Sequence, residues 1–398
     1  MSTNLQLAPL TGLRGVAAYS VLFAHTIDYA FTGEFHAYVT GLVHFGMSLF
    51  FVLSGFVICY GYSDVLKHGV VAGSWRFFVA RFARLYPLYL LMLVVSLTQY
   101  PYPPPYDSLF ASPLAGLSAL TLTQSWFNVH GISGSAFGQS WSISTEWFFY
   151  GFFLFICAPV LRIKKPAVWL ASFITICFIG LVALFSQRIE ITAIISTIVP
   201  GELPLSAPPW MWLTYFSPYI RVLEFIAGVL ACRVYFAYRD RPANEALSRA
   251  LMIACTLWLT VVMTAAAFVT DGPVHDMLVT FAFAPALAPA LVVICLRLPR
   301  AACGRPLIIM GEISYSVYAL QFFIFVRLSQ DGYMHMFGSP TVDAISFCAV
   351  AMATTTILAF ASFYLFETPA RKFLRAFLMN PVSMCRPHRI VSGSKLTS

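Results

Sequence analysis

Apolar runs of about twenty residues follow one another along almost the whole chain, broken by short polar segments. They lie near 10–30, 41–61, 78–99, 144–161, 168–186, 218–236, 249–269, 276–297, 312–328 and 343–366. Each run is continuous and has the length an α-helix needs to cross about 30 Å of hydrocarbon. A transmembrane barrel would alternate apolar and polar residues instead. The pattern predicts an all-α, polytopic integral membrane protein with about ten transmembrane helices, because only helices and closed barrels satisfy their backbone groups in lipid. Two further segments complicate the count. Residues 109–126 are apolar enough to dip into the membrane, and 189–200 are too short to cross. Both are assigned to outer loops.

Composition agrees. The chain of 398 residues is 59% hydrophobic and 10% charged, against about 25% charged in soluble domains. Its net charge of +8 suits cytoplasmic loops of a membrane protein rather than nucleic-acid binding. Basic residues cluster in 62–84, 162–166, 233–249, 297–306 and from 371 onward; with Arg14 they place 21 of the 24 Lys and Arg on one side. Only Arg188, Arg221 and Arg327 fall on the other. Lys and Arg mark the cytoplasmic side, so both termini are expected inside, with 100–143 outside. Spanning by 109–126 would put Arg162, Lys164 and Lys165 outside, which argues against it. The N-terminus lacks the charged region and cleavage site of a signal peptide, so the first helix is expected to stay as an anchor. The nine cysteines include no CxxC pair, and no metal site is read.

Polar residues inside the apolar runs then carry the chemistry. In the first run Arg14 and His25 are eleven residues apart, about 16 Å along a helix and within about 20° of each other on one face. Ala18, Val21 and Asp28 complete that face. Lipid exposure of Arg and His is costly, so the stripe is expected to face the bundle interior. Plainer readings stand beside this: Arg14 snorkelling to headgroups, His25 in a structural interhelical hydrogen bond, Asp28 facing outer water. The sharper one makes Asp28 the orienting partner of a general base, His25.

Further islands follow. Ser54 and Gly55 in "FFVLSGFVI" permit close helix approach. Arg81 and Arg84, i and i+3 in "RFARLYP", either anchor the helix or form a fork for phosphates, with Arg76 as an additional cation. Ser142, Glu146 and Tyr150 follow i, i+4, i+8 in "WSISTEWFFY"; Glu146 is expected at the depth of His25 and able to pair with it, or to cap the interface beside Trp141 and Trp147. Tyr318 and Gln321 share a face in "GEISYSVYALQ". Glu367 and Arg371 in "FETPAR" read as an ion pair.

Together these motifs resemble the membrane-bound acyltransferase-3 family, which O-acylates bacterial cell-surface sugars and some small molecules, from "LTGLRGVAAYSVLFAH" to "FETPARKFL". The resemblance implies a domain over 1–370, a short polar cytoplasmic tail over 371–398, and no appended hydrolase-like domain. It implies acyl-CoA, most simply acetyl-CoA, as donor from the cytoplasmic side, and a glycan or other hydroxyl acceptor at the far face of a bacterial inner membrane. Arg14 and His25 match the family's essential pair, Arg81 and Arg84 its cytoplasmic arginine motif, and Glu146 and Glu367 its recurrent carboxylates. Gln321 departs from it, since many relatives carry His there. His25 would act as base or as acyl acceptor. A small-molecule or lipid-linked acceptor is the alternative, as is a proton-coupled transporter, although no inverted repeat supports the latter. Membrane lipid is the expected partner, nucleic acid is not, and self-association is left open.

Overall fold

The computed structural model describes residues 8–67, 70–98, 113–128, 137–198, 209–242, 244–297 and 304–379. They are helical throughout their length apart from short connections. The helices are α1 (Ala8–Ala30), α2 (His36–Lys67), α3 (Val70–Thr98), α4 (Pro113–Leu120), α5 (Ser140–Leu161), α6 (Pro166–Ser186), α7 (Arg188–Ile198) and α8 (Pro209–Met211). After a π-helical turn at Trp212–Phe216 come α9 (Pro218–Tyr238), α10 (Glu245–Phe268), α11 (Gly272–Thr280), α12 (Ala284–Arg297), α13 (Arg305–Glu312), α14 (Ser314–Gln330) and α15 (Pro340–Ser362). A second π-helical turn, Phe363–Glu367, leads into α16 (Thr368–Met379).

Each of the ten apolar runs coincides with a long helix or a broken pair. By length and hydropathy alone, seven segments are fit to cross a membrane, and α13 with α14, bent by 64°, makes an eighth. Helices α1 and α9 are as long but carry Arg14 and Asp28, and Arg221, Glu224 and Arg233. These two lie inside the bundle. The most extensive packing is α2 on α9, followed by α1 on α2.

Glycine sets those crossings. A Cβ on Gly55 would collide with the carbonyl oxygen of Phe225, and one on Gly228 with that of Val52. The two backbones therefore touch, as small residues allow in membranes. Gly311 packs likewise against the Thr11 carbonyl, fixing α13 beside the start of α1.

The described part of 109–126 does not sit apart in a loop. Helix α4 packs beside the middle of α3: Tyr89 donates to the Ala119 carbonyl (2.7 Å) and Tyr86 to that of Leu120 (3.1 Å). Leu114, Leu117 and Leu120 stay exposed while Ala115 and Ala119 are buried. Two tyrosine hydroxyls thus bond carbonyls at the end of this short helix, where intrahelical partners run out. Helix α7, eleven residues long, is too short to cross, as expected for 189–200.

Candidate functional site

Helices α1 and α2 run antiparallel, joined by the turn at 31–35. Two cavities open along them at opposite ends. The first is lined by Arg14 from early α1, Ser54 from late α2, Arg81 and Arg84 from α3, Glu146 from α5 and Tyr315 from α14. The second and larger is lined by His25, His36, His44, Arg188, Tyr215 and Asp276, among others.

In the first cavity the three arginines converge. Arg81 donates from Nη2 to the Tyr62 hydroxyl (3.3 Å), and its guanidinium lies over the rings of Tyr62 and Tyr150 at 5.0 and 5.8 Å. Its Nε is buried with no hydrogen-bond partner among the described residues. Glu146 Oε1 accepts from Tyr150 (2.5 Å) and Ser54 (3.2 Å). Glu367 accepts from Ser316 (3.0 Å) and lies in electrostatic reach of Arg84, Arg371 and Arg14. Two carboxylates, each tied to neighbouring hydroxyls, thus stand near the three arginines.

The spacing of the first helix is upheld: Arg14 lines a cavity instead of snorkelling outward. Five expectations need correction. Glu146 does not pair with His25, because α5 begins inside the bundle, where Gln139 Nε2 donates to the Ala319 carbonyl of α14 (3.2 Å). Ser142 then meets Tyr318 (2.7 Å between hydroxyls), and Glu146, one turn on, falls in the arginine cavity. Asp28 does not orient His25; its Oδ1 pairs with His36 Nδ1 at 3.0 Å, since the tight turn brings the start of α2 beside the end of α1. Arg76 is exposed and lines neither cavity. Trp141 is an interior residue, packed on Tyr215 (5.0 Å) and Phe51 (6.5 Å), not part of an interfacial belt. Glu367 and Arg371 also form no direct ion pair; Arg371 lies over the Phe363 ring (6.0 Å).

His25 stands against Phe322 (4.9 Å between ring centroids), with Nδ1 buried and unpaired among the described residues. Gln321 is its neighbour. That side chain is fully buried, and neither of its polar atoms has a partner among the described residues. An aromatic layer links the walls of the two cavities: Phe50 on Tyr318 (6.1 Å), and Phe51 through Trp141 to Tyr215.

Residue-level reading of the sequence missed the neighbourhood of that layer. Arg221, counted there among loop charges, is entirely buried. It stacks on Tyr215 (4.7 Å), pairs with Glu224 (3.3 Å) and donates to the Thr280 carbonyl (3.0 Å). The i, i+3 Arg/Glu pair within an apolar run was the available signal. His44 was equally visible as a lone histidine inside the second run. Outside the spans, the hydrogen bond from Arg188 (3.0 Å) holds the Asp271 carboxyl below the usual carboxylate range.

A family model described as an acyltransferase domain matches residues 8–364. The chain belongs to this acyltransferase family. This acyltransferase is 26% identical over 380 residues to acyltransferase MdmB of Streptomyces mycarofaciens, with 88% of each chain covered. It is 38% identical over 86 residues to protein 2 in the picA locus of Rhizobium radiobacter, a match covering 22% of this chain and 41% of that protein. No solved structure matches the acyltransferase. The assignment makes it an enzyme and sets aside the transporter reading.

Proposed function

We propose that this membrane acyltransferase takes an acyl group, acetyl in the simplest case, from acyl-CoA on the cytoplasmic side and passes it to a hydroxyl of a glycan at the outer face of a bacterial inner membrane. The observation that carries the reading is the convergence of Arg14, Arg81 and Arg84 on one cavity while His25 lines another, eleven residues along the same helix. The donor's phosphates fit that cavity: guanidiniums bind phosphate bidentately, and Arg81 keeps a buried, unpaired Nε. The skew of 21 basic residues supports a cytoplasmic position for it.

Acyl-CoA supplies an activated thioester and a long arm to bridge the roughly 16 Å between the two sites. Arg81 and Arg84 bind the phosphates, and Glu146, tied to Ser54 and Tyr150, balances their charge. His25 takes the proton of the acceptor hydroxyl as its oxygen attacks the thioester carbonyl, and returns it to the departing thiolate. Gln321, with both polar atoms unpaired beside His25, supports the imidazole.

Purified protein in detergent, given acetyl-CoA, tests the chemistry. Transfer or CoA release is expected from wild type and not from His25→Ala. An absence of turnover by well-folded wild type with every acyl-CoA tried would overturn the donor assignment. Surface glycans from a deletion strain identify the acceptor: loss of O-acetyl groups is expected, and unchanged acylation would exclude a glycan.

A further inference from the structure

The larger cavity contains groups for which the reaction above has no use. His44, on α2, lines it while only 7% exposed. Its ring meets Tyr215 edge-on at 5.2 Å, and its Nδ1 has no hydrogen-bond partner among the described residues. A buried polar atom without a partner is costly, about 1–3 kcal/mol, and such groups in native structures usually meet water or ligand. His44 and His25 thus present two imidazoles to one space from adjacent antiparallel helices.

The charges around that space are already spent on one another. Asp28 is paired with His36 (3.0 Å). Asp271 is paired with Arg188 (3.0 Å). Asp276 accepts from Trp210 Nε1 (2.7 Å) and lies 3.5 Å from the same arginine. Every carboxylate lining the cavity among the described residues therefore has a protein donor, and its one arginine serves two of them. An anionic or cationic group entering here would have to break such a pair to be compensated. What remains is neutral: the imidazoles of His25 and His44, with the Tyr215 and Trp210 rings at the wall, while His275 stands 3.7 Å from Asp276. Imidazole nitrogens and ring faces suit hydroxyl groups on a compact apolar skeleton.

We infer that this cavity is the acceptor site, that it takes a neutral, polyhydroxylated moiety such as an uncharged sugar residue, and that His44 binds the acceptor by hydrogen bond while His25 acts on the hydroxyl to be acylated. The inference rests on the proposed function and extends it to the acceptor's charge and to a second recognition residue. His44 selects and positions the acceptor; the donor site lies at the other end of α2 and does not involve it.

Three methyl glycosides that differ in charge serve as probes: methyl glucoside (neutral), methyl glucuronide (anionic) and methyl glucosaminide (cationic), each with acetyl-CoA and the purified enzyme. Mass spectrometry counts O-acetyl products, and CoA release without acceptor is followed in parallel. The neutral glycoside is expected to be acylated with at least tenfold higher kcat/KM than either charged one. His44→Leu is expected to lose at least tenfold in kcat/KM for the glycoside, mainly through KM for the glycoside and not through KM for acetyl-CoA. His44→Gln, which keeps a polar group, is expected to recover part of the loss, and guards against a leucine variant that fails to fold. Preference for a charged glycoside, no acylation of any of the three, or equal activity of the Leu, Gln and wild-type enzymes would each overturn the inference. In those cases intact CoA release would leave the donor reading standing. Loss of CoA release from the wild type would mark the failure of the donor reading itself, and this inference would fall with it.

Discussion

At the scale of single residues, position along the chain translated well into placement where one helix carried both groups. Arg14 and His25 sit where their eleven-residue spacing puts them, one in each cavity. Glu146 was misplaced because its depth depends on where α5 starts, and that is set by Gln139 reaching α14, a contact between distant segments that periodicity does not encode. His25→Ala is expected to reduce transfer by about 10²–10⁴-fold, the usual cost of losing a general base, in protein that still folds; activity and melting temperature measured on one sample separate this from a structural defect. Radiolabel retained on wild type, but not on His25→Ala, after acyl-CoA without acceptor would assign His25 as acyl carrier in place of base. Arg81→Ala and Arg84→Ala are expected to raise KM for acyl-CoA more than they lower kcat, since a phosphate contact is present in ground and transition state alike. Arg84→Lys should restore only part, because a lysine cannot make the bidentate contact. The buried Arg221–Glu224 pair gives a stability prediction. Arg221→Met alone should lower stability by about 3–5 kcal/mol, as a charge is left unpaired, while Arg221→Met with Glu224→Leu should cost much less; thermal unfolding in detergent compares them.

Among elements, the small residues of "FFVLSGFVI" were legible as a place of close approach, and Gly55 meets α9 there backbone to backbone. Its counterpart Gly228 was not singled out, because a glycine in an apolar run looks the same whether it faces lipid or a helix. Gly55→Val and Gly228→Val are each expected to cost more than the about 1–3 kcal/mol typical of overpacking, since the colliding atoms are carbonyl oxygens and cannot rotate away. Gly151→Val, where a Cβ would meet nothing within 4 Å, is the matched control, and expression with melting temperature reads all three. Helix α4 shows what composition alone leaves open. Residues 109–126 are apolar enough to enter the membrane, but whether they cross, dip or stay out is decided by partners, here the hydroxyls of Tyr86 and Tyr89. Removing both with Phe substitutions should free this segment, seen as faster proteolysis or hydrogen exchange over 113–128 with the rest unchanged.

For the molecule as a whole, the ten apolar runs identified every long helix, because the bilayer imposes one length and one composition on each. Which helix packs on which was not legible, since lipid-facing and helix-facing surfaces are equally apolar. The expected topology puts Lys164 inside and His335 outside. Single cysteines at these two positions, in a version without other cysteines, should react with an impermeant thiol reagent in intact cells only at 335; labelling of 164 alone would reverse the orientation.

The charges within α9 also govern how the protein is made. Arg221, Glu224 and Arg233 lie in a helix of 21 residues, and a charge costs up to roughly 2.5–3.5 kcal/mol in insertion, the full amount applying at the centre of a span. Alone at the translocon, α9 would be a poor substrate for the lipid phase. Its most extensive partner is α2, which ends about 150 residues before α9 begins and is therefore already in the bilayer when α9 emerges. Biogenesis should then be sequential and assisted from within the chain: α9 enters because a groove on the nascent amino-terminal half accepts its charged face. A reporter fused after α9 should show efficient insertion when residues 1–217 precede it and poor insertion when α9 follows an unrelated leader span. Gly55→Val, by closing that groove, should convert the first result into the second.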